Sequence, residues 1–228
     1  MKELENKKVI IVGPSSYLEN RKMGNFIDSY DIVVRINNLH DTTNSQLVDD
    51  FGKQTDLIYY DGSTTNTRLQ SYIDCNPLEI ICTYPETEWF FKSRCANNVN
   101  TFHNHLNGRV IDEELYTDLK YDLDSNMKTR PNSGLIAIVD LLTFPIAELY
   151  ITGIDFYRNS YSAYHPDYGK TELESIKEIF KKGDEGDVHD INKQFMYFKN
   201  LFHNESRLKT DDIMLNYITN KKYENVSF

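Results

Sequence analysis

Arg130-Pro131-Asn132-Ser133-Gly134 opens an apolar run that leads to Leu149-Tyr150-Ile151-Thr152-Gly153-Ile154-Asp155-Phe156-Tyr157. The stretch reads as a polar loop, a buried helix over about 133–143, a short turn and a strand whose carboxyl end carries Gly, Asp and Tyr. Leu135, Ile138, Val139, Leu141 and Leu142 leave the helix apolar around most of its circumference, which predicts that it lies against a sheet. Asn132 and Ser133 stand where side chains cap free N–H groups, and Pro145 ends the helix. Ligands of open α/β sheets bind just beyond the carboxyl ends of strands and at helix N-termini, and this stretch supplies one of each. An ordinary helix–strand unit of an α/β core has the same pattern, so the stretch decides the fold class before it decides a function.

Working outward, four more apolar runs read as buried strands: Lys8–Val12, Ile32–Ile36, Asp56–Tyr60 and Leu78–Cys82. Spaced by helical intervals, they predict a Rossmann-like, mostly parallel sheet flanked by helices. The first run ends in Gly13-Pro14-Ser15-Ser16, a turn resembling a phosphate cradle without either glycine fingerprint of nucleotide-binding loops. The second ends in Asn37-Asn38, whose amides can hydrogen-bond a base or ribose in both directions, or simply form a turn. The middle, about 83–129, reads as less regular and polar; Trp89-Phe90-Phe91 is expected to pack a helix on the sheet, and His103 and His105 read as surface loop. Arg158 to Gly169 is dense in O–H and N–H donors and begins a mobile loop of about 158–188, with a helix expected over about 170–182. His189 precedes an amphipathic helix of about 190–202 capped by Asp190, with Ile191, Phe195, Phe198, Leu201 and Phe202 on its apolar face. The positive helix end disfavours imidazolium, which predicts a neutral His189 able to act as a base near pH 7; a merely structural histidine is the competing expectation. Arg207 to Phe228 suggests nothing specific.

The 228 residues carry a net charge of −10, and no local run of Lys or Arg offsets it, which argues against a nucleic-acid groove. No apolar run approaches the roughly 20 residues that span a bilayer. The charged start Met1 to Asn6 runs straight into a strand and resembles neither a signal peptide nor an anchor. Cys75, Cys82 and Cys95 are odd in number and lack C-x-x-C spacing, so free thiols, no zinc site and a cytoplasmic location are expected.

Taken in order, the pieces resemble known motifs. Val9 to Lys53 is similar to the large sialyl motif of the sialyltransferases of glycosyltransferase family 29, through Val12-Gly13, Ser15, Gly24, Ile27-Asp28-Ser29-Tyr30-Asp31, Arg35-Ile36-Asn37 and Asp50-Phe51-Gly52-Lys53-Gln54-Thr55. Pro131-Asn132-Ser133-Gly134 resembles the P-S-T-G of the small motif, and Val188-His189-Asp190 the last motif, whose histidine is the family's catalytic base. Thr152 to Tyr157 is similar to S-G-I-D-F-Y of the bacterial family 42 sialyltransferases, where a following Tyr-bearing loop binds the donor phosphate. Three departures stand out. Pro14 replaces an Asn that contacts the donor, Gln194 replaces a Glu, and the cysteine pair of animal members is missing.

The resemblance, which covers the two ends of the chain and hardly the 83–129 region, implies one glycosyltransferase domain over 1–228 with a GT-A-like sialyltransferase variant of the fold; 83–129 is expected to form a less regular lid or acceptor region. It implies inverting transfer of sialic acid or a related keto-sugar from a CMP-sugar to a glycan hydroxyl. His189 would take the hydroxyl proton, and Tyr157, Tyr164 or Tyr161, and His165 would hydrogen-bond the leaving phosphate. Gly13, Ser15, Ser16, Asn37, Asn132, Ser133, Gly134 and Asp155 would hold the donor. No metal and no cofactor beyond the CMP-sugar donor are implied. The partners are then that donor and a glycan acceptor, without nucleic acid or a membrane span. A noncatalytic nucleotide-binding module, a CMP-Kdo-type transferase and a nicotinamide enzyme are the alternatives, the last disfavoured by the missing glycine fingerprint.

Overall fold

The computed structural model describes residues 2–62, 66–88, 92, 107–156, 158–165 and 189–220. Within them seven strands form one parallel sheet: β1 (Lys8–Val12), β2 (Ile32–Ile36), β3 (Leu57–Tyr60), β4 (Glu79–Cys82), β5 (Gly108–Val110), β6 (Glu148–Thr152) and β7 (Leu208–Thr210). The helices among the described residues are α1 (Gly24–Ile27), α2 (Ser45–Phe51), α3 (Asn66–Cys75), α4 (Glu113–Leu123), α5 (Ser133–Leu142), α6 (Ile191–Asn204) and α7 (Asp212–Thr219), with short 3-10 turns besides. The fold is the expected helix-flanked parallel sheet.

The strand order is β5-β4-β3-β2-β1-β6-β7. The chain builds outward from β1 in one direction, then returns to β1's other side with β6 and continues away from it. Between β1 and β6 the order reverses, and in open α/β sheets such a switch point leaves a crevice at the carboxyl ends of the two strands. The register pairs Val9 with Ile32 on one side and with Leu149 on the other, so the carboxyl ends of β1 and β6 finish level, Val12 opposite Thr152.

Alternation along β1 explains its unbroken apolar run. Val9 and Ile11 join the larger core, with Leu135, Ile138 and Leu141 of α5 and Phe195 and Phe198 of α6; Ile10 and Val12 join a second core with Leu18, Ile27, Val33 and Phe51. A strand covered on both faces has no polar face to show. Asp140 is the exception inside apolar α5. It accepts from Arg109 Nη2 at 2.5 Å and from the Tyr59 hydroxyl, while Arg109 Nε reaches Glu79 at 3.2 Å, so edge strand β5 is tied to α5 by a charge network.

Several boundaries differ from expectation. The 83–129 region carries β5 and an eleven-residue helix, α4, capped by Asp112. Ser45–Phe51 form α2, which Asn44 caps at its start. The unread stretch after Arg207 forms β7 and α7. The expected helices at 89–91 and 170–182, together with His103, His105, Cys95 and Tyr157, lie outside the described residues. Cys75 and Cys82 are free thiols.

Candidate active site

The crevice between β1 and β6 is closed from below by two glycines. A Cβ on Gly13 would lie 2.3 Å from the Gly153 carbonyl oxygen, and one on Gly153, at φ +69°, would lie 2.3 Å from that of Gly13. Only residues without side chains let the two turns touch. The turns are then laced together: Gly13 N–H donates to Thr152 O (2.8 Å), and Ser15 N–H to Gly153 O (3.0 Å). Residues 158–165 fold back over them, with Ser16 N–H on Ser160 O (2.9 Å), Ser162 N–H on Pro14 O (2.8 Å) and an antiparallel bridge between Ser15 and Tyr161. With three N–H groups engaged and Pro14 having none, the Gly13–Ser16 turn has no main-chain donor left for a phosphate.

Asp155 is the node beneath this layer. Its Oδ2 accepts from Ser15 Oγ (2.7 Å), Asn159 N (2.9 Å) and Asn159 Nδ2 (2.7 Å), so a buried carboxylate fixes both loops. Burial pushes its pKa up, against the pull of the Ser15 and Asn159 donors. Asn159 Nδ2 also reaches Tyr217 OH (3.0 Å) on α7. Phe156 follows Asp155 at φ +50°, an unusual conformation for an aromatic residue beside a site. Arg158 stacks 3.8 Å from the Phe195 ring centroid and bonds the Asp155 and Phe156 carbonyls, joining the same turn to α6.

The other predicted residues line the same carboxyl edge. Asn37 caps β2 at φ +57°; its N–H donates to Tyr59 O (2.8 Å) and its Oδ1 accepts from Asp61 N–H (2.9 Å), leaving its Nδ2 without a partner among the described residues. Asn132 is the N-cap of α5, its Oδ1 accepting from Leu135 N–H (2.8 Å) as the sequence suggests. Ser133 Oγ lies 3.1 Å from Thr83 Oγ1, just past β4; Thr83 donates to Tyr60 O, so Ser133 is the donor of that pair. Gly134 packs on Ile154, its would-be Cβ 3.2 Å from Ile154 Cδ1. The N–H groups of Ser133 and Gly134 carry no bond among the described residues, as at any helix N-terminus suited to an anion. Ser16 Oγ shares a hydrogen bond with Ser160 Oγ (2.9 Å).

Tyr161 stacks on His165 with centroids 3.7 Å apart and planes 7° from parallel. Tyr164 turns inward, its ring edge-on to Phe51 (5.0 Å) and its hydroxyl only 3.5 Å from Gly13 O, a long contact; burial pushes its pKa up to about 12, against the nearby Arg35 charge. His189 lies ahead of α6, which Asp190 caps through Lys193 N–H. Its Nδ1 is 2.7 Å from Arg130 O. A carbonyl only accepts, so Nδ1 carries the hydrogen and Nε2 the lone pair. Burial, then the Arg130 charge, lower its pKa to about 3, so the imidazole is neutral as expected. The cause differs from the sequence argument, which invoked the helix end.

Sequence reasoning missed the supports. Tyr17 OH accepts from Gly153 N–H (2.6 Å) and donates to Asp211 Oδ2 (2.7 Å), Thr152 Oγ1 donates to the same oxygen (2.7 Å), and Asp211 Oδ1 caps α7 at Met214 N–H (2.9 Å). Asp211 ahead of the apolar run Ile213-Met214-Leu215 carries a helix-start signal that flags at least the cap. Gln194, singled out only as a departure, accepts from Asn132 N–H at 2.8 Å. Among the described residues, no group of three or more His, Cys, Asp or Glu side chains is arranged to hold a metal ion, and no helix is long and apolar enough to cross a membrane.

The sequence profile of glycosyltransferase family 29 (sialyltransferase) matches residues 1–106. The type 2 lactosamine alpha-2,3-sialyltransferase of Rattus norvegicus is 23% identical over 224 residues, covering 86% of this chain, which spans 62% of that relative's length. In three dimensions the chain is similar to the sialyltransferase CstII from Campylobacter jejuni in complex with cytidine-5'-monophosphate, at TM-score 0.57 and 19% identity over 98% of this chain and 88% of that one. It is also similar to a mammalian sialyltransferase in complex with Gal-beta-1-3GalNAc-ortho-nitrophenol, at TM-score 0.54 and 12% identity over 90% and 69%. The chain is thus similar in sequence to family 29 over residues 1–106 and in fold to sialyltransferases over nearly its whole length.

Proposed function

We propose that this chain is an inverting glycosyltransferase that moves sialic acid, or a related keto-sugar, from a CMP-sugar to a glycan hydroxyl. The observation that carries the proposal is the convergence, on one segment ahead of α5, of a neutral histidine and a helix N-terminus. Arg130 O holds His189 in the tautomer with its lone pair on Nε2, and two and three residues past Pro131 the N–H groups of Ser133 and Gly134 are open to an anionic donor.

In this reading the CMP moiety lies along the carboxyl edge, with the Asn37 amide and the α5 N-terminus on the nucleotide. The acceptor hydroxyl gives its proton to His189 Nε2 as its oxygen forms the new bond to the anomeric carbon. The bond from that carbon to the phosphate oxygen breaks on the opposite face, and CMP leaves with the electron pair. O–H and imidazole donors from the 158–165 loop, Tyr161, Tyr164 and His165, with Tyr157 beyond the described residues, take up the charge growing on that phosphate. For Tyr164 this requires exchanging its long contact to Gly13 O for the ligand. A base held neutral this firmly accepts the proton only as the hydroxyl becomes acidic in bond formation, so proton transfer runs late and together with attack.

The test is CMP release from CMP-sialic acid and from CMP-Kdo, each with and without a panel of β-galactoside acceptors. Acceptor-dependent CMP release from CMP-sialic acid is expected. Release confined to CMP-Kdo would move the chain to the neighbouring class, and tight CMP binding with no release from either donor would make it a noncatalytic module.

A further inference from the structure

The start of α6 holds the segment ahead of α5 at two points. One is His189 Nδ1 on Arg130 O at 2.7 Å; the other is Gln194 Oε1, which accepts from Asn132 N–H at 2.8 Å. Gln194 is fully buried, and its Nε2 has no partner among the described residues, so its carboxamide is oriented through the oxygen alone. A main-chain N–H can only donate, which fixes the end of the amide that faces Asn132. Between the two held atoms lies Pro131. Its ring sets φ near −65°, which leaves its ψ as the one soft torsion between the carbonyl and the N–H. Asn132 is also the cap of α5, through its side chain. One residue therefore takes the helix N-terminus with its Oδ1 and the histidine-bearing element with its N–H.

We propose that Gln194 is a positioning residue: its bond to Asn132, together with the His189–Arg130 contact on the other side of Pro131, forms a two-point clamp that sets the imidazole against the N-terminus of α5. The inference rests on reading His189 as the base and the α5 N-terminus as the donor site. The clamp also accounts for an uncharged side chain at this position. A carboxylate could accept the same N–H, but it would add a buried negative charge where, among the described residues, Arg130, Asp190, Lys193 and Arg158 stand on the elements that carry or contact α6, with Lys193 on Asp124 at 3.4 Å and Arg158 over Phe195 at 3.8 Å. It would raise the proton affinity of the imidazole.

The test uses the full chain labelled with ¹⁵N-histidine, as wild type, Gln194→Glu and Gln194→Met, with ring tautomer and titration read by NMR and CMP affinity by calorimetry. The wild type is expected to show His189 as a single Nδ1–H tautomer that resists protonation down to pH 5. Gln194→Glu should keep that tautomer and the CMP affinity while shifting the imidazole titration upward. Gln194→Met leaves Asn132 N–H without an acceptor and should mix the tautomers and weaken CMP on the order of tenfold, the effect of losing a buried hydrogen bond. A folded Gln194→Met protein with wild-type tautomer and CMP affinity overturns the clamp. If that variant does not fold, Gln194→Glu decides, and a titration identical to wild type overturns it. If wild type shows the fixed tautomer but no CMP binding, the clamp stands and the functional reading fails.

Discussion

Gly153 carries more of this site than its size suggests. Its φ of +69° and the 2.3 Å approach of a would-be Cβ to Gly13 O act together. Gly153→Ala should lose about 2–4 kcal/mol, from the left-handed conformation and from the backbone shift that relieves the contact. Urea denaturation measures this; a loss under about 1 kcal/mol would show that the β1 and β6 turns can separate at little cost. His40 makes a second residue-scale prediction. Its Nε2 lies 2.6 Å from Gly52 O, and burial, then the Arg35 charge, lower its pKa to about 4. The unfolded state takes up a proton near pH 6.5 and the folded state only near 4, so this residue contributes stability that is present above pH 6.5 and lost as pH falls toward 4. Its share of the slope is at most about 1.4 kcal/mol per pH unit. His40→Gln should flatten the pH 4–6.5 stability curve by that much, and an unchanged slope contradicts a buried neutral His40. At this scale the sequence was legible where chemistry is local: Asn132 as a cap and His189 ahead of a helix need only their neighbours in the chain. Asp155, expected to touch the donor, is engaged with Ser15 and Asn159. A partner 140 positions away leaves no local trace in the sequence.

Among elements, α7 acts as a brace. Asp211 caps it and at the same time receives Tyr17 and Thr152, while Tyr217 on the same helix receives Asn159. The two turns of the crevice thus hang from one C-terminal helix. Asp211→Ala removes a cap, about 0.5–2 kcal/mol, and strands two buried hydroxyls, about 1–3 kcal/mol for the pair after relaxation. A total loss of roughly 2–4 kcal/mol is expected, with CMP affinity falling in the folded remainder. Asp211→Asn retains a cap oxygen but sets an NH2 donor where Tyr17 and Thr152 donate, so it should recover the cap and little of the hydroxyl share. If the alanine variant binds CMP as the wild type does, α7 supports the fold without shaping the site. Strands β1 and β2 and helix α5 were readable because both faces of each strand, and most of the helix, are apolar. β5 and β7 are three-residue strands, Gly-Arg-Val and Leu-Lys-Thr, too short and polar for any period to emerge. α4 has four acidic residues among its eleven, and its buried stripe of Tyr116, Leu119 and Leu123 is thin against that background.

For the whole molecule, the parallel sheet follows from continuous apolar runs spaced by helical intervals, but the order 5-4-3-2-1-6-7 does not. Which side of β1 receives β6 depends on how α5 crosses the sheet, a matter of packing between elements far apart in sequence. That one choice creates the switch point and brings the Gly13 turn, first met at the start of the chain, against Gly153. It also sets the segment ahead of α5 beside His189. The central claim is that this assembly performs sialyl transfer with His189 as base, and the direct measurement is His189→Ala, with transfer from CMP-sialic acid, CMP affinity and folded fraction determined on the same sample. The account predicts CMP affinity close to wild type and kcat/KM per folded molecule lower by roughly 10²–10⁴-fold. A folded variant that binds CMP and turns over at the wild-type rate contradicts it.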